Sequence, residues 1–323
     1  MTHRSTNKPN PAAEHRGGVF SSIYIKIIVN AAPLCYNMRM VKVKAYAKLN
    51  FTLDITGVSA GYHMLDSLVC TVDLYDLITL KKRRDNLVGV EMHGQGTETL
   101  PFEINVAAKA AQAYIKKFGT CGADIIIYKN IPVGGGLGGS SADASGVLNG
   151  MARLYGAGGE SGLKAIADGL GSDTGYLLTG GWARLNGRGE RVIPLDISRT
   201  FHALLLIPQG GVSTPSCYKK YDETPVITNN TQTALNALSA GDTAAFGMSI
   251  GNALYGAAYA LNPAVMVAYE ELSSFAPSGV TMTGSGSGVF ALFETAELRD
   301  WAYSRYRGKF RAIKLKTVNT IKR

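Results

Sequence analysis

The chain has 323 residues, 46% of them hydrophobic, and a formal net charge of +9. That length suits one large or two ordinary domains with a sizeable core, and no run of about 18 apolar residues is free of charge, which excludes an obvious membrane span. The charge sits at the ends, +4 over residues 1–40 and +8 over 301–323 against −3 for the body between them, so a basic nucleic-acid groove through the folded body is not expected.

Residues 1–40 read as an extension, disordered or targeting. Thr2–Gly18 is polar and aperiodic, the texture of a disordered segment. Phe20–Leu34 is apolar but broken by Lys26 and Asn30, too interrupted for a secretory signal. A transit peptide would place the protein in a plastid, and an upstream extension ahead of a domain starting near Met38 or Met40 would leave it cytoplasmic. Four widely spaced cysteines, Cys35, Cys70, Cys121 and Cys217, form no CxxC pair. They read as free buried thiols rather than a zinc or redox site.

From there the elements follow in order. Val41–Ala47 alternates as a half-buried strand, Phe51–Ile55 is a second apolar run, and Gly57 to Gly61 reads as a turn. Ser67–Leu80 predicts one or two strands, and Lys81–Asp85 a charged turn. Asn105–Phe118 has helical spacing, Ala123–Tyr128 is a short strand, and a glycine-rich loop separates it from a helix over Ala142–Tyr155. Ser161–Leu170 predicts another helix and Gly171–Asp173 a turn. Trp182–Leu185 and Val192–Leu195 flank a turn at Asn186–Gly189, and the near-continuous apolar run Ala203–Ile207 suits a buried strand. Pro215, Pro225 and Thr228–Thr233 suggest surface loops between lobes. Helices are expected near Thr243–Ala260, Pro263–Phe275 and Leu298–Tyr306. Strands are expected at Val280–Thr283, Val289–Phe293 and Ala312–Val318. Strands and helices without strict alternation make the class α+β.

The loop reads Pro132-Val-Gly-Gly-Gly-Leu-Gly-Gly-Ser-Ser-Ala-Asp143. Glycines let backbone N–H groups approach an anion closely, and a helix start adds its positive end. Ser140 and Ser141 add hydroxyls. Phosphate binding needs this combination of strand, glycine loop and helix start. It is no Walker A motif, since no Lys-Ser or Lys-Thr follows the glycines. It is a poor dinucleotide fingerprint, since the acidic residue about twenty positions on would be Glu160, in a Gly-rich turn.

Pro132–Asp143 resembles the phosphate loop of the GHMP kinase superfamily, and Met282-Thr-Gly-Ser-Gly-Ser-Gly-Val-Phe290 resembles its third motif. Within the superfamily the likeness is strongest to the 4-diphosphocytidyl-2-C-methyl-D-erythritol kinases of the methylerythritol phosphate route to isoprenoids. It is carried by Ala47-Lys-Leu-Asn50 with Gly61-Tyr-His63, by Thr71–Asp76, by Gly171-Ser-Asp173 with Gly180-Gly181, and by Gly211–Pro215 with Tyr218. The resemblance runs from about Val41 to the C-terminus. It implies a two-lobed fold, with an N-terminal lobe like ribosomal protein S5 over 41–198 that binds ATP and a ferredoxin-like C-terminal lobe over 199–323.

The resemblance also implies roles. Asp173 would be the base that takes the acceptor's proton, with Lys48 beside it holding it ionised and steadying the transferring phosphoryl group. ATP would contact Pro132, Val133, Gly134, Gly135, Gly136, Leu137, Gly138, Gly139, Ser140, Ser141 and Ala142, together with Gly284 and Gly286. Asn105 and Lys129 would lie near the adenine, although Asn105 could equally cap a helix. Tyr62 and Tyr218 would sandwich the cytosine, His63 would bond its edge, and Asn50 would face the polar tail. Magnesium, implied by ATP, could touch Ser141. The partner is then a small-molecule substrate, with no nucleic acid and no membrane, and the chain a monomer or weak homodimer. Ala60 stands where the family has Asp, Thr174-Gly175 where it has Val-Pro, Ser287-Gly288 where it has Pro-Thr or similar, and Ser140 where a further Gly is frequent. These departures leave open a GHMP kinase for another small alcohol, or a nucleotide-binding relative that has lost catalysis.

Overall fold

The computed structural model describes residues 23–25, 40–94 and 105–319. The expectations for Thr2–Gly18, Cys35 and most of Phe20–Leu34 lie outside these residues. The part of the extension that is described, β1 (Ile23–Ile25), pairs antiparallel with β5 (Val88–His93), a strand the sequence pattern did not announce.

One long strand organises the N-terminal half. β2 (Met40–Asn50) and β3 (Thr52–Ser59) lead into β4 (Tyr62–Lys82), a single 21-residue strand where one or two were expected. The turn before it is tighter than expected. It consists of Ala60 and Gly61, left-handed at φ 49° and 77°, the pairing that a two-residue hairpin requires. The Lys81–Asp85 turn also shortens, because Lys81 and Lys82 stay in β4. Arg83 then bonds Asp85 at 2.7 Å and Asp124 at 2.6 Å.

After β5 come α1 (Val106–Phe118), β6 (Ala123–Tyr128), α2 (Gly139–Tyr155) and α3 (Glu160–Ala167). Next is α4 (Ser172–Leu177), so the expected turn at Gly171–Asp173 is in fact a helix start. β7 (Trp182–Gly187) and β8 (Arg191–Pro194) complete the half. β4 pairs with β2, β3, β6 and β7 along its length. Its residues Leu68–Val72, Ile78 and Leu80 are buried with α1 and α2 residues in the larger of two cores.

The C-terminal half begins with β9 (His202–Ile207) and α5 (Thr214–Tyr221). α6 (Asn230–Ser239), α7 (Thr243–Ser249), β10 (Gly251–Asn252), α8 (Tyr255–Leu261) and α9 (Ala264–Ser273) follow. The chain ends on β11 (Gly279–Met282), β12 (Val289–Phe293), α10 (Ala296–Arg305) and β13 (Arg311–Lys316). The polar run Thr228–Thr233 is a surface loop only in part: Asn229, Gln232 and Thr233 are exposed, but α6 begins at Asn230 and Thr231 turns inward. Thr231 is fully buried, its N–H donates to Asp54 Oδ2 at 2.7 Å, and its hydroxyl meets that of Thr52 at 2.7 Å.

A second sheet, in the order β11-β12-β9-β13, is buried on both faces. Ala203 and Leu205 of β9, with Phe290 and Leu292 of β12, face the larger core. Leu204, Leu206, Val289 and Ala291 face the smaller core with residues of α8 and α9. This accounts for the unbroken apolar run in β9. Beneath the junction Phe51 packs against Trp182 at 4.7 Å and Phe290 at 5.4 Å between ring centroids. Cys70 and Cys217 are free and buried as expected, whereas Cys121 is disulfide-bonded. Among the described residues no helix is long and apolar enough to cross a membrane.

Candidate active site

The ends of β2, β4 and β6, the loop 129–138 and the starts of α2, α4 and α5 enclose a cavity of about 1100 Å³. Within the loop Gly134, Gly136 and Gly138 are left-handed, at φ 72°, 71° and 71°, which curls the backbone into a concavity suited to an anion. The bonds divide in a telling way. The carbonyls of Gly134 and Gly135 accept from the amides of Ser287 and Gly288 at 3.1 and 3.2 Å, and that of Leu137 from Lys48 at 3.0 Å. Thr283 Oγ1 donates to the Gly136 carbonyl at 3.3 Å. The amides of Gly136 to Ser141 donate to no acceptor among the described residues, so the loop presents donors with its carbonyls already occupied. The first turn of α2 contributes the usual free helix-start amides.

The third motif thus forms the loop's backing. Gly136 and Gly284 pack backbone to backbone, and a Cβ on Gly284 would sit 2.8 Å from the Gly136 carbonyl oxygen. Ser287 and Gly288, the departure from the family pattern, supply two of the bonds to the loop, and Ser287 Oγ also donates to Pro208 O at 3.0 Å. Gly136→Ala would combine a left-handed alanine with a Cβ driven into the Thr283 carbonyl. We expect it to lose about 2–4 kcal/mol in urea unfolding and to raise the apparent KM for ATP.

Lys48 owes its position to an irregularity. The β2–β4 register shifts between Tyr46 and Lys48, and such a bulge re-aims the following side chain. The ammonium donates to Asn50 Oδ1 and lies 3.4 Å from Asp173 Oδ2. Asp173 stands in the first turn of α4. Asn50 lines the cavity but is heavily engaged. It donates to Ser67 Oγ at 2.8 Å, and its Oδ1 accepts the Gly284 amide at 3.1 Å as well as Lys48. Its geometry therefore fixes Lys48 against the third motif.

Lys129 lines the cavity with its ammonium held by two buried carboxylates, Asp76 and Asp143, the latter at 2.6 Å. Asp76 also accepts the amides of Asn130 and Ile131 at 2.6 and 2.9 Å, whereas Asp143 Oδ1 has no partner among the described residues. Burial pushes Asp143 up to about 8, against the pull of Lys129 and with the push of Asp76. Burial works to lower Lys129, but the two carboxylates overcome it and raise it above its ordinary value. Asn105 caps α1, its Oδ1 accepting the Ala107 amide at 2.9 Å, and also lines the cavity.

At the other end Tyr62, His63 and Tyr218 line the same cavity. The His63 ring stacks on Tyr218 at 4.8 Å, and its Nε2 meets Asp222 Oδ1 at 2.7 Å. Tyr62 is 56% exposed and carries the Arg188 guanidinium over its ring at 4.9 Å. Burial first, then the charge of Asp173, pushes the Tyr218 hydroxyl well above its usual range, so it stays a donor.

The cavity wall includes the named residues from Pro132 to Ser141, with Gly284, but neither Ala142 nor Gly286. Ala142 is buried inside α2. Sequence reasoning did not single out Thr283, Ser67, Arg188 or Asp222. Thr283 stood within the quoted third motif, whereas nothing local marked the other three.

A strand, an anion-binding glycine loop and an Asp–Lys pair across one cavity define an ATP-dependent kinase site. Residues 105–178 match the profile of the GHMP kinases N terminal domain, and residues 234–312 that of the GHMP kinases C terminal. The chain is 32% identical over 277 residues to 4-diphosphocytidyl-2-C-methyl-D-erythritol kinase from Clostridium beijerinckii, covering 84% of this chain and 98% of that one. A crystal structure of 4-(cytidine 5'-diphospho)-2C-methyl-D-erythritol kinase superposes with a TM-score of 0.72 at 30% identity, over 85% of this chain and 98% of the other. A mevalonate kinase from L. major shares the fold, with a TM-score of 0.69 at 14% identity over 89% and 98% of the two chains. The chain belongs to the 4-diphosphocytidyl-2-C-methyl-D-erythritol kinase family of the GHMP kinases.

Proposed function

We propose that this protein uses ATP to phosphorylate the 2-hydroxyl of 4-diphosphocytidyl-2-C-methyl-D-erythritol, a step in isoprenoid synthesis. One observation carries the reading: a phosphate-binding loop, the Lys48–Asp173 pair and the Tyr62–His63–Tyr218 group line one continuous cavity. Its volume, about 1100 Å³, is large enough for two ligands end to end.

In this reading the free loop amides hold the β- and γ-phosphates of ATP. Asp173 accepts the hydroxyl proton as that oxygen attacks the γ-phosphorus, and Lys48 steadies the charge on the transferring group. Tyr62 and Tyr218 stack on the cytosine, and His63, oriented by Asp222, bonds its edge. Among the described residues no group of three His, Cys, Asp or Glu could hold a metal. Magnesium, if brought with ATP, would supply positive charge to the β- and γ-phosphates. Ser141, on the cavity wall, would be the protein oxygen that holds it. Both substrates are charged and water-soluble, so the reading includes an aqueous compartment, the cytoplasm, or a plastid if residues 1–40 are a transit peptide. The proposal includes the division of the chain at residue 198 into an ATP-binding domain (41–198) and a C-terminal domain (199–323), and activity as a monomer or weak homodimer.

A coupled ADP-release assay over a panel of small alcohols tests the reading. Turnover should require the cytidine diphosphate acceptor, and turnover of another alcohol alone would overturn it. Base stacking on an aromatic ring contributes about 1–3 kcal/mol. Tyr62→Ala and Tyr218→Ala should therefore each raise the acceptor's KM by about tenfold or more, with the KM for ATP unchanged.

A further inference from the structure

The acceptor end of the cavity carries two cations that the proposed mechanism leaves unused. Arg188 stands at the tip of the β7–β8 turn between left-handed Gly187 and Gly189. The turn is held by Glu190, whose Oε2 accepts the Arg188 amide at 2.6 Å. The Arg188 guanidinium lies over the Tyr62 ring at 4.9 Å. Its neighbour Gly189 packs against Ser172, where a Cβ would lie 3.5 Å from the Ser172 Cβ, and Ser172 immediately precedes Asp173. The turn therefore reaches from the base-stacking tyrosine to the aspartate at the reacting end. Lys219, next to Tyr218, lines the same cavity.

Neither cation is paired with a carboxylate among the described residues, although nearby cations are. Arg184 holds Asp66 at 2.6 Å and Lys220 holds Glu223 at 2.6 Å. The carboxylates of Asp173 and Asp222 also line this end. A dianionic linker entering here would meet like charge unless a cation met it first. Arginine suits that task, because its planar fork bonds phosphate oxygens two at a time while its face rests on an aromatic ring.

We propose that Arg188 binds the diphosphate of the acceptor, held in place by the Tyr62 ring, with Lys219 as a second cation on the same anion. The inference rests on the cytidine diphosphate reading of the site. In that acceptor the diphosphate joins the cytidine to the alcohol, so it must lie between Tyr62 and Asp173, where Arg188 stands. Arg188 then discriminates for the diphosphate and fixes the distance at which the hydroxyl is delivered.

The test is calorimetric binding of cytidine and CDP to the full chain, with the phosphate loop filled by a non-hydrolysable ATP analogue. The wild type should bind CDP at least about tenfold more tightly than cytidine, by a margin that shrinks with added salt. Arg188→Ala should keep the cytidine affinity and lose most of that margin. Arg188→Lys should keep only part of it, and Lys220→Ala should leave it intact. In turnover, Arg188→Ala should raise the acceptor's KM by about tenfold and leave the KM for ATP unchanged. A wild-type margin in Arg188→Ala would overturn the proposal while leaving the cytidine reading in place. Failure of the wild type to bind either cytidine or CDP would overturn both.

Discussion

Asp173→Asn should lower kcat by about a thousandfold while leaving the affinity for ATP within about twofold, because the amide keeps the shape but cannot take a proton. The geometry makes this substitution a clean one. Asp173 meets Lys48 at 3.4 Å, and Lys48 keeps a second anchor in Asn50 Oδ1, so the lysine stays in place without the carboxylate. The loop that holds ATP in our reading is tied to the Lys48 backbone, whose amide donates to the Leu137 carbonyl, independently of the Asp173 carboxylate. Lys48→Met should also cut turnover, and the double variant should be little worse than Asp173→Asn alone, as expected of groups that act as a unit. ADP release gives kcat, and calorimetry with a non-hydrolysable analogue gives the affinity. An Asp173→Asn enzyme within tenfold of wild-type kcat would rule out this carboxylate as the base.

The second large effect is on stability. Lys129→Met should cost about 3–5 kcal/mol, the usual consequence of leaving a buried charge without its partner. Asp76 is fully buried and Asp143 nearly so, and the Lys129 ammonium bridges them. Asp76 retains the Asn130 and Ile131 amides, but Asp143 Oδ1 already lacks a partner among the described residues. Lys129→Met/Asp143→Asn should therefore recover a large part of the loss.

The pH dependence distinguishes this cause from simple loss of packing. Burial pushes Asp143 up to about 8, so the folded chain holds a proton there that the unfolded chain has released. The associated stability is complete below the ordinary carboxylate range and fades as the pH rises through about 8. Removing Lys129 takes away the nearest positive charge and raises Asp143 further. The deficit of Lys129→Met should then be constant between about pH 5 and 7 and grow as the pH rises above about 8, where the wild-type carboxyl ionises and the variant's still holds its proton. Urea midpoints at a series of pH values measure it. A deficit that does not vary with pH would place the cost in packing rather than in the charge.

Much of the fold was legible because it rests on short-range preferences. Ala123–Tyr128 and Val289–Phe293 were read with their observed bounds, since β-branched and apolar runs bounded by breakers specify a strand locally. The glycine loop was legible for the same reason. The misreadings have tertiary causes. Gly171–Asp173 looked like a turn because α4 is only six residues long and begins after an extended glycine. Thr228–Thr233 looked like a surface loop because its polar side chains suit water. In the structure Asp54, buried on β3, accepts from the Thr231 and Asn230 amides and the Thr228 hydroxyl, so polarity there satisfies a buried carboxylate.

The sequence by itself determined the class of this protein. A glycine-rich loop between a strand and a helix start is marked as an anion site by its own residues, and the motifs around Lys48, Asp173 and Met282–Phe290 carry the family. Only the tertiary structure decided how those groups work together. The β2 irregularity brings Lys48 to Asp173, the backbone contact of Gly136 with Gly284 seats the loop on the third motif, and the length of β4 delivers both Asp76 to Lys129 and Tyr62 and His63 to α5. The physical reason is range. Backbone propensity acts over a few residues, whereas ion pairs and stacked rings between distant segments depend on the register of a sheet, which is fixed only when the whole core is packed.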